Sequence, residues 1–500
     1  MLLCHLIISI CEVADPPYIS PTIELLLRQR NKLRPAGKVE QADHLAVHIN
    51  RLIARRRSKL LSEANNHDTK QLWELLKKTD NWGGKSKPAI DLDHDIINDY
   101  FAAVATYADY CRADVMRACV KSSPCQNNQN NKNSSSCTYS RNVIETLLAR
   151  VGKTSSGNDD IPYWMFRDCA SAIAGVVAKI VNFTLTTGVA PAAWQIAVIT
   201  PVPKHSPITG PNDLRPISVT PILSLIVKRL VVKDHIMPFL PCEQIFDQYG
   251  FKRTGSTTAA LIDVTHTVMT MLETGSYVQC LLIDFSKAFD SVDHLKLVNK
   301  LKQYGLSHSI ITWIVSFLTD RLQYTFEVTY RGSNLLNAPL FKVLASALIF
   351  SIIMILNLKT RAAMNHMAKY ADAATLLVPK LTSLSIEEEF RCVQKWACDN
   401  KLSVNLSKTK EIVFYRLNPR SIIVPSPLPN IDRVTIIKLL GVYISHDLAT
   451  NAQTEYVLKI CNQSLYLLNQ LKKQSLPRHQ LQQVFESIVL SRITYAVAAW

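Results

Sequence analysis

Two different spacings of apolar residues divide this chain. Over residues 21–75, Leu25, Leu26, Leu45, Ile49, Leu52, Ile53, Leu60 and Leu61 recur at helical spacing, with Arg28, Arg30, Arg51, Arg55, Arg56, Arg57 and Lys59 between them. This predicts a basic amphipathic helical segment, used either as an arm gripping phosphates or as the solvated face of a helical hairpin. Residues 123–140 are a polar run rich in Asn, Gln and Ser, predicted as a loop with nothing to bury. From about residue 141 the patterning is regular to the end. Ile196, Val198 and Thr200 alternate as in a strand, with Lys204 just beyond. The apolar run Leu281-Leu282-Ile283 predicts a strand that ends on Asp284 and turns into a helix, and a second strand is predicted over 370–378 around Asp372. Residues 343–356 are apolar but fall short of the ~20 residues that span a bilayer, so they predict a buried helix. Lys438-Leu439-Leu440-Gly441-Val442-Tyr443 reads as a further strand, and 452–500 carries two helical patterns.

Composition narrows the class. With 500 residues, 48% of them hydrophobic and 19% charged, the chain is a folded protein of several domains. A formal net charge of +16 favours a polyanionic partner, nucleic acid before an anionic membrane surface; a merely basic soluble protein is the other reading of the charge. The 12 cysteines include no Cys-x-x-Cys pair, which argues against a zinc site or a disulfide framework and for reduced thiols in cytoplasm, nucleus or both. Residues 1–11 are apolar but lack the basic start of a signal peptide. Neither a membrane anchor nor a small-molecule cofactor is expected.

Asp284 and Asp372 are the candidate chemistry. Two acidic strand ends brought side by side are what a two-metal phosphoryl-transfer site needs, because Mg²⁺ takes hard oxygen ligands and paired ions roughly 3.5–4 Å apart share carboxylates. A lone Asp after a strand also serves as a helix N-cap; Asp290 and Asp293 are expected to cap or pair within the helix that follows.

The run Ile283-Asp284-Phe285-Ser286-Lys287-Ala288-Phe289-Asp290 and the later Tyr370-Ala371-Asp372-Ala373 resemble motifs A and C of reverse transcriptases, specifically those of non-LTR (LINE-type, jockey-like) retrotransposons. The resemblance implies an α+β right-hand polymerase with fingers, a ferredoxin-like palm, a helical thumb and an N-terminal helical extension. It divides the chain into a leader and basic connector over 1–90, a connector with the Asn/Ser-rich loop over 91–165, fingers over 166–260, palm over 261–445 and thumb over 446–500. It implies an RNA template, a DNA primer, deoxynucleoside triphosphates and Mg²⁺. Asp284 and Asp372 take the roles of metal-binding catalytic carboxylates. Lys204 and Arg215 fall where cationic groups hold the triphosphate, the backbone of Phe285 lies near it, and Phe289 takes the place of the aromatic gate that excludes a ribose 2′-OH. Lys252 and Arg253, within Gln248-Tyr249-Gly250-Phe251-Lys252-Arg253, match a template-contacting turn. Leu440 and Gly441 match the primer grip, and Lys408 and Lys410 match motif D, where one lysine helps protonate the leaving pyrophosphate or both are simply solvated.

Two departures from the family pattern stand out. Motif C in the family reads Tyr/Phe-x-Asp-Asp, and this chain has Ala373 at the second Asp. The family's Gly-x-Pro-Gln-Gly-Ser loop is also missing: Ala338-Pro339-Leu340-Phe341-Lys342 runs straight into Val343-Leu344-Ala345. With no endonuclease ahead of the connector and an end at Trp500, the chain reads as truncated at both ends. The expectation is a catalytically impaired reverse transcriptase domain. The rivals are a non-catalytic RNA or primer–template binding protein and an unstable retrotransposon relic.

Overall fold

The computed structural model describes residues 20–63, 92–105, 111–120, 138–205, 207–250, 252, 254–286, 292–325, 350, 352–416, 423–473 and 476–500. Phe289 and Arg253, the segment 287–291 and the segment 326–349 lie outside them.

The basic segment at the start folds as two helices, α1 (Pro21–Leu33) and α2 (Val39–Glu63). Ser20 caps α1 by accepting from the Ile23 amide, with Pro21 in the first turn. A single continuous helix is interrupted between them by Pro35-Ala36-Gly37, where Gly37 takes a φ of +75°. Arg51, Arg55, Arg56 and Lys59 are solvent-exposed.

The larger unit, residues 90–450 with 498–500, is α+β. Helix α3 (Ala170–Thr187) is the one described helix long and apolar enough to cross a membrane, yet Ala174, Val177, Val181 and Leu185 along one face pack into a core. Strand β1 (Ile196–Pro203) pairs antiparallel with β2 (Leu214–Val219). Helix α4 (Thr257–Thr274) leads into β3 (Tyr277–Ser286), the longest strand. Asp293 then caps α5 (His294–Gln303), its carboxylate accepting from the Lys296 amide at 2.8 Å, as expected of an Asp in this position. Helix α6 (His308–Leu318) stacks Trp313 on Phe317 inside the same core as α3, and β4 (Leu322–Thr325) joins β1 in parallel.

The central sheet follows. Strands β5 (His366–Tyr370) and β6 (Ala373–Pro379) form a tight hairpin, so 370–378 is not one strand: the chain reverses at Ala371 and Asp372. Helix α7 (Ile386–Asp399) is opened by a capping box between Ser385 and Glu388. Then come β7 (Ser403–Val404), β8 (Lys410–Tyr415) and β9 (Asp432–Arg433). The strand order is β5-β6-β3-β8-β9, with β7 pairing the end of β3. Leu281, Ile283 and Phe285 of β3, Leu376 and Val378 of β6, and Phe390 and Val393 of α7 form its core. Next, β10 (Ile436–Leu439) and β11 (Val442–Ser445) form a second hairpin where the pattern predicted one strand. Leu440 and Gly441 turn it with φ of +46° and +95°, and positive φ at both turn residues matches the twist of a two-residue hairpin loop.

Helices α8 (Asn451–Lys473) and α9 (Arg478–Phe485) carry the two helical patterns expected over 452–500, and belong with α1 and α2 to the other compact unit.

Candidate active site

The register of β3 against β6 decides what this sheet end can do. Pairing runs from Val278 opposite Pro379 to Asp284 opposite Ala373. Directly opposed positions hold their Cβ atoms about 4.5–5.5 Å apart, so the residue across from Asp284 is the one where a second motif C carboxylate would sit. Asp372 precedes it at the hairpin turn. The turn is strained: Ala371 has a φ of +57°, a left-handed conformation that costs a residue with a Cβ about 1–2 kcal/mol. Such outliers persist where surrounding structure over-determines them. Here Gly250 does so from the neighbouring segment, since a Cβ on it would lie 2.4 Å from the Ala371 backbone nitrogen.

The other flank of β3 is closed by β7 and the turn after it. Phe285 and Ser286 pair with Val404 and Ser403, and the Asn405 amide donates to the Asp284 carbonyl at 2.8 Å. This turn sends Lys408 to the site, its Nζ 3.6 Å from Asp284 Oδ2. Lys410 goes elsewhere and pairs with Asp432 at 2.5 Å. Of the two motif D lysines, the geometry therefore brings Lys408, not Lys410, to Asp284. The Phe285 ring is buried, edge-on to Trp396 at 5.9 Å.

The remaining sequence-predicted residues are more dispersed. Leu440 comes close: with Leu439 it lines a small cleft shared with Tyr370 and Ala373. Lys204 donates from Nζ to the Asn212 carbonyl, and its amide donates to the Asp213 carbonyl at 2.8 Å. Arg215 is exposed on β2, opposite Val202. Lys252 turns back on its own segment, donating to the Ile245 carbonyl at 3.3 Å.

The fit to a metal can be judged from this donor set. Two hard carboxylates at consecutive places on one sheet end suit a single Mg²⁺, which keeps most of its water and completes its shell with substrate phosphate. Among the described residues no group of three or more His, Cys, Asp or Glu could hold a metal ion alone. The donor chemistry suits a divalent ion completed by substrate, and position 373 offers no second motif C carboxylate.

The reverse transcriptase (RNA-dependent DNA polymerase) family matches residues 202–444. Those residues are a reverse transcriptase domain. The relatives place it among non-LTR elements. A 300-residue stretch is 24% identical to the RNA-directed DNA polymerase from mobile element jockey of Drosophila melanogaster, covering 54% of this chain and 31% of that protein. Another, of 200 residues, is 26% identical to the probable RNA-directed DNA polymerase from transposon BS of the same organism, covering 38% of this chain and 21% of that protein. The chain thus spans less than a third of the length of these curated relatives. Among solved structures, apo telomerase from Candida tropicalis truncated from its C-terminal domain aligns over 59% of this chain and 62% of its own at 11% identity. Its TM-score of 0.35 is too low to bear on the fold.

Sequence reasoning on this reverse transcriptase domain missed the supports of its carboxylates. Gln248 forms a β-bridge with Lys369, three residues before Asp372. Lys369 is fully buried, with Asp247 beside it at 3.1 Å. The available signal was a lysine in the strand His366–Tyr370, which by itself reads as an outward-facing residue.

Proposed function

We propose that this chain is the polymerase part of a non-LTR retrotransposon, an RNA-directed DNA polymerase of fingers, palm and thumb whose nucleotidyl transfer is impaired. The observation that carries this reading is the register of Asp284 against Ala373, with Asp372 at the adjoining turn. Asp284 and Asp372 would hold one divalent cation, which would neutralise charge on the transferring phosphate, while a second beside the primer terminus would acidify its 3′ hydroxyl. Ala373 supplies no carboxylate to the ion nearest the primer terminus, and loss of a charged group aimed at a transition state costs on the order of 10²-fold or more.

The remaining roles follow from chemistry and placement. Lys408, beside Asp284, would offset charge on the leaving pyrophosphate. Lys204 and Arg215 would hold the triphosphate, Arg as a planar fork and Lys as a point charge. Phe289 would crowd a ribose 2′-OH, while Lys252 and Arg253 would meet template phosphates. The Leu440–Gly441 turn, close to Ala373, would support the primer end. The net charge of +16 supports an RNA template and a DNA primer as partners. The described cysteines are free thiols, in keeping with cytoplasm or nucleus.

The test is a primer-extension comparison of four proteins at fixed Mg²⁺: wild type, Ala373→Asp, an insertion of Gly-Val-Pro-Gln-Gly-Ser between Lys342 and Val343, and both changes together. Misplacement of reacting atoms by about 1 Å costs on the order of 10²-fold, so restored charge without the aligning loop should yield little turnover. Only the double repair should extend a primer appreciably, the non-additivity of groups acting as a unit. Robust extension by Ala373→Asp alone would show the loop to be dispensable. Salt-sensitive primer–template binding with no extension by any of the four would favour a non-catalytic binding protein.

A further inference from the structure

The turn that carries Asp372 is held from behind by a buried ionic clasp that no sequence motif announces. Lys369, on β5, has a side chain with no solvent exposure. Its ammonium donates to the carbonyls of Ile355 at 3.2 Å, Leu356 at 3.4 Å and Leu358 at 2.9 Å. Ile355 closes the short helix at 352–355, and Leu356 and Leu358 lie in the turn that follows it. The same ammonium lies 3.1 Å from Asp247 Oδ2, which also meets Lys359 at 2.7 Å. The backbone repeats the connection: the Lys369 amide donates to the Asp247 carbonyl at 2.7 Å, and the Tyr249 amide donates to the Lys369 carbonyl at 2.8 Å. One residue later Gly250 abuts the Ala371 backbone.

We propose that Lys369 and Asp247 are positioning residues that fix the hairpin turn presenting Asp372, by locking β5 to both the 247–250 segment and the end of the 352–355 helix. The inference rests on the polymerase reading for what Asp372 does, and on geometry alone for how the turn is held. An ordinary buried ion pair stabilises a fold wherever it sits. This one ties three chain segments together within three residues of a left-handed Ala371, so its loss should be felt first at that turn. Burial pushes the Lys369 ammonium down to about 8, partly opposed by Asp247, in accord with a cation enclosed by carbonyls and one carboxylate.

The comparison that isolates this role uses a second buried ion pair of the same sheet. Arg433 on β9 pairs with the fully buried Glu411 at 2.7 Å, on the opposite side of β3 from the hairpin. Lys369→Met, the milder Asp247→Asn, and Arg433→Met would be prepared in the full chain. Amide hydrogen exchange would be followed over 366–377, and Mn²⁺ affinity by loss of the free-ion EPR signal. The clasp variants should speed exchange at the turn at least tenfold and weaken Mn²⁺ binding about tenfold, while Arg433→Met lowers the melting temperature and leaves both readouts at their wild-type values. Unchanged exchange at 366–377 in folded Lys369→Met and Asp247→Asn would overturn the proposal, as would an equal effect of Arg433→Met. Faster exchange confined to the clasp variants, with no wild-type Mn²⁺ site sensitive to Asp284→Ala, would uphold the clasp and sink the polymerase reading instead.

Discussion

Two sheets of the larger unit, the central one and that of β2, β1 and β4, use charge in opposite ways. In and around the central sheet several charged side chains are enclosed and committed: Glu411 with Arg433, Glu389 of α7 on the amides of Arg361 and Ala362, and Lys369 with Asp247. In the sheet of β2, β1 and β4 the functional candidates sit at the surface, with Arg215 exposed and Lys204 reaching a backbone carbonyl. The difference matches two tasks. A carboxylate that must share an ion within tenths of an ångström needs a frame in which every neighbour is fixed. A cation that meets a phosphate needs only reach and charge, because the attraction is long-ranged and tolerant of angle.

The largest expected effect lies in the rigid frame. If Mg²⁺-dependent incorporation is measurable at all, in wild type or in the doubly repaired chain, Asp284→Ala and Asp372→Ala should each reduce it by 10²-fold or more. Retained activity in either variant would mean that the sheet end is not the reacting centre. Next, Arg433→Met should destabilise the fold by about 3–5 kcal/mol in urea unfolding, because it strands the buried Glu411 carboxylate. Arg215→Ala, on the exposed sheet, should change stability by less than about 0.5 kcal/mol. Equal losses from the two substitutions would erase the contrast between the sheets.

The exposed cations should show themselves in salt dependence. Lys204→Ala and Arg215→Ala should each lower the log–log salt slope of primer–template binding by about one if each meets a phosphate. An unchanged slope would remove that residue from the interface. A further effect is on the pH profile of stability. Burial, together with Lys296 and Lys369, lowers the Lys300 ammonium to about 7 from its ordinary 10.5. Below about pH 7 both folded and unfolded chains hold this proton, whereas between about 7 and 10.5 only the unfolded chain does. Stability should therefore rise with pH across that window, and Lys300→Met should flatten the rise in a pH series of melting curves.

Much of this arrangement was legible in the sequence where a local rule carried it. The apolar run into Asp284, the alternation from Ile196 and the cap at Asp293 each follow from spacing within a few residues. The hairpins were harder. Around Asp372 and around Leu440–Gly441 the strand-like pattern hides a reversal, because Ala371 and Leu440 are not turn formers and take positive φ only under tertiary constraint. Pairings across long separations left no local trace. Lys410 is as plausible as Lys408 until β9 brings Asp432 to it, and Asp247 lies 122 positions from Lys369 with no motif linking them.

On the proposed function, this site would hold one divalent ion where a complete motif C would hold two. Mn²⁺ stoichiometry on the full chain, counted by EPR in the presence of primer–template and a non-hydrolysable deoxynucleoside triphosphate analogue, tests it directly. The account predicts one protein-dependent ion in the wild type, none in Asp284→Ala, and two in Ala373→Asp. Two ions in the wild type, or an ion retained in Asp284→Ala, would contradict it.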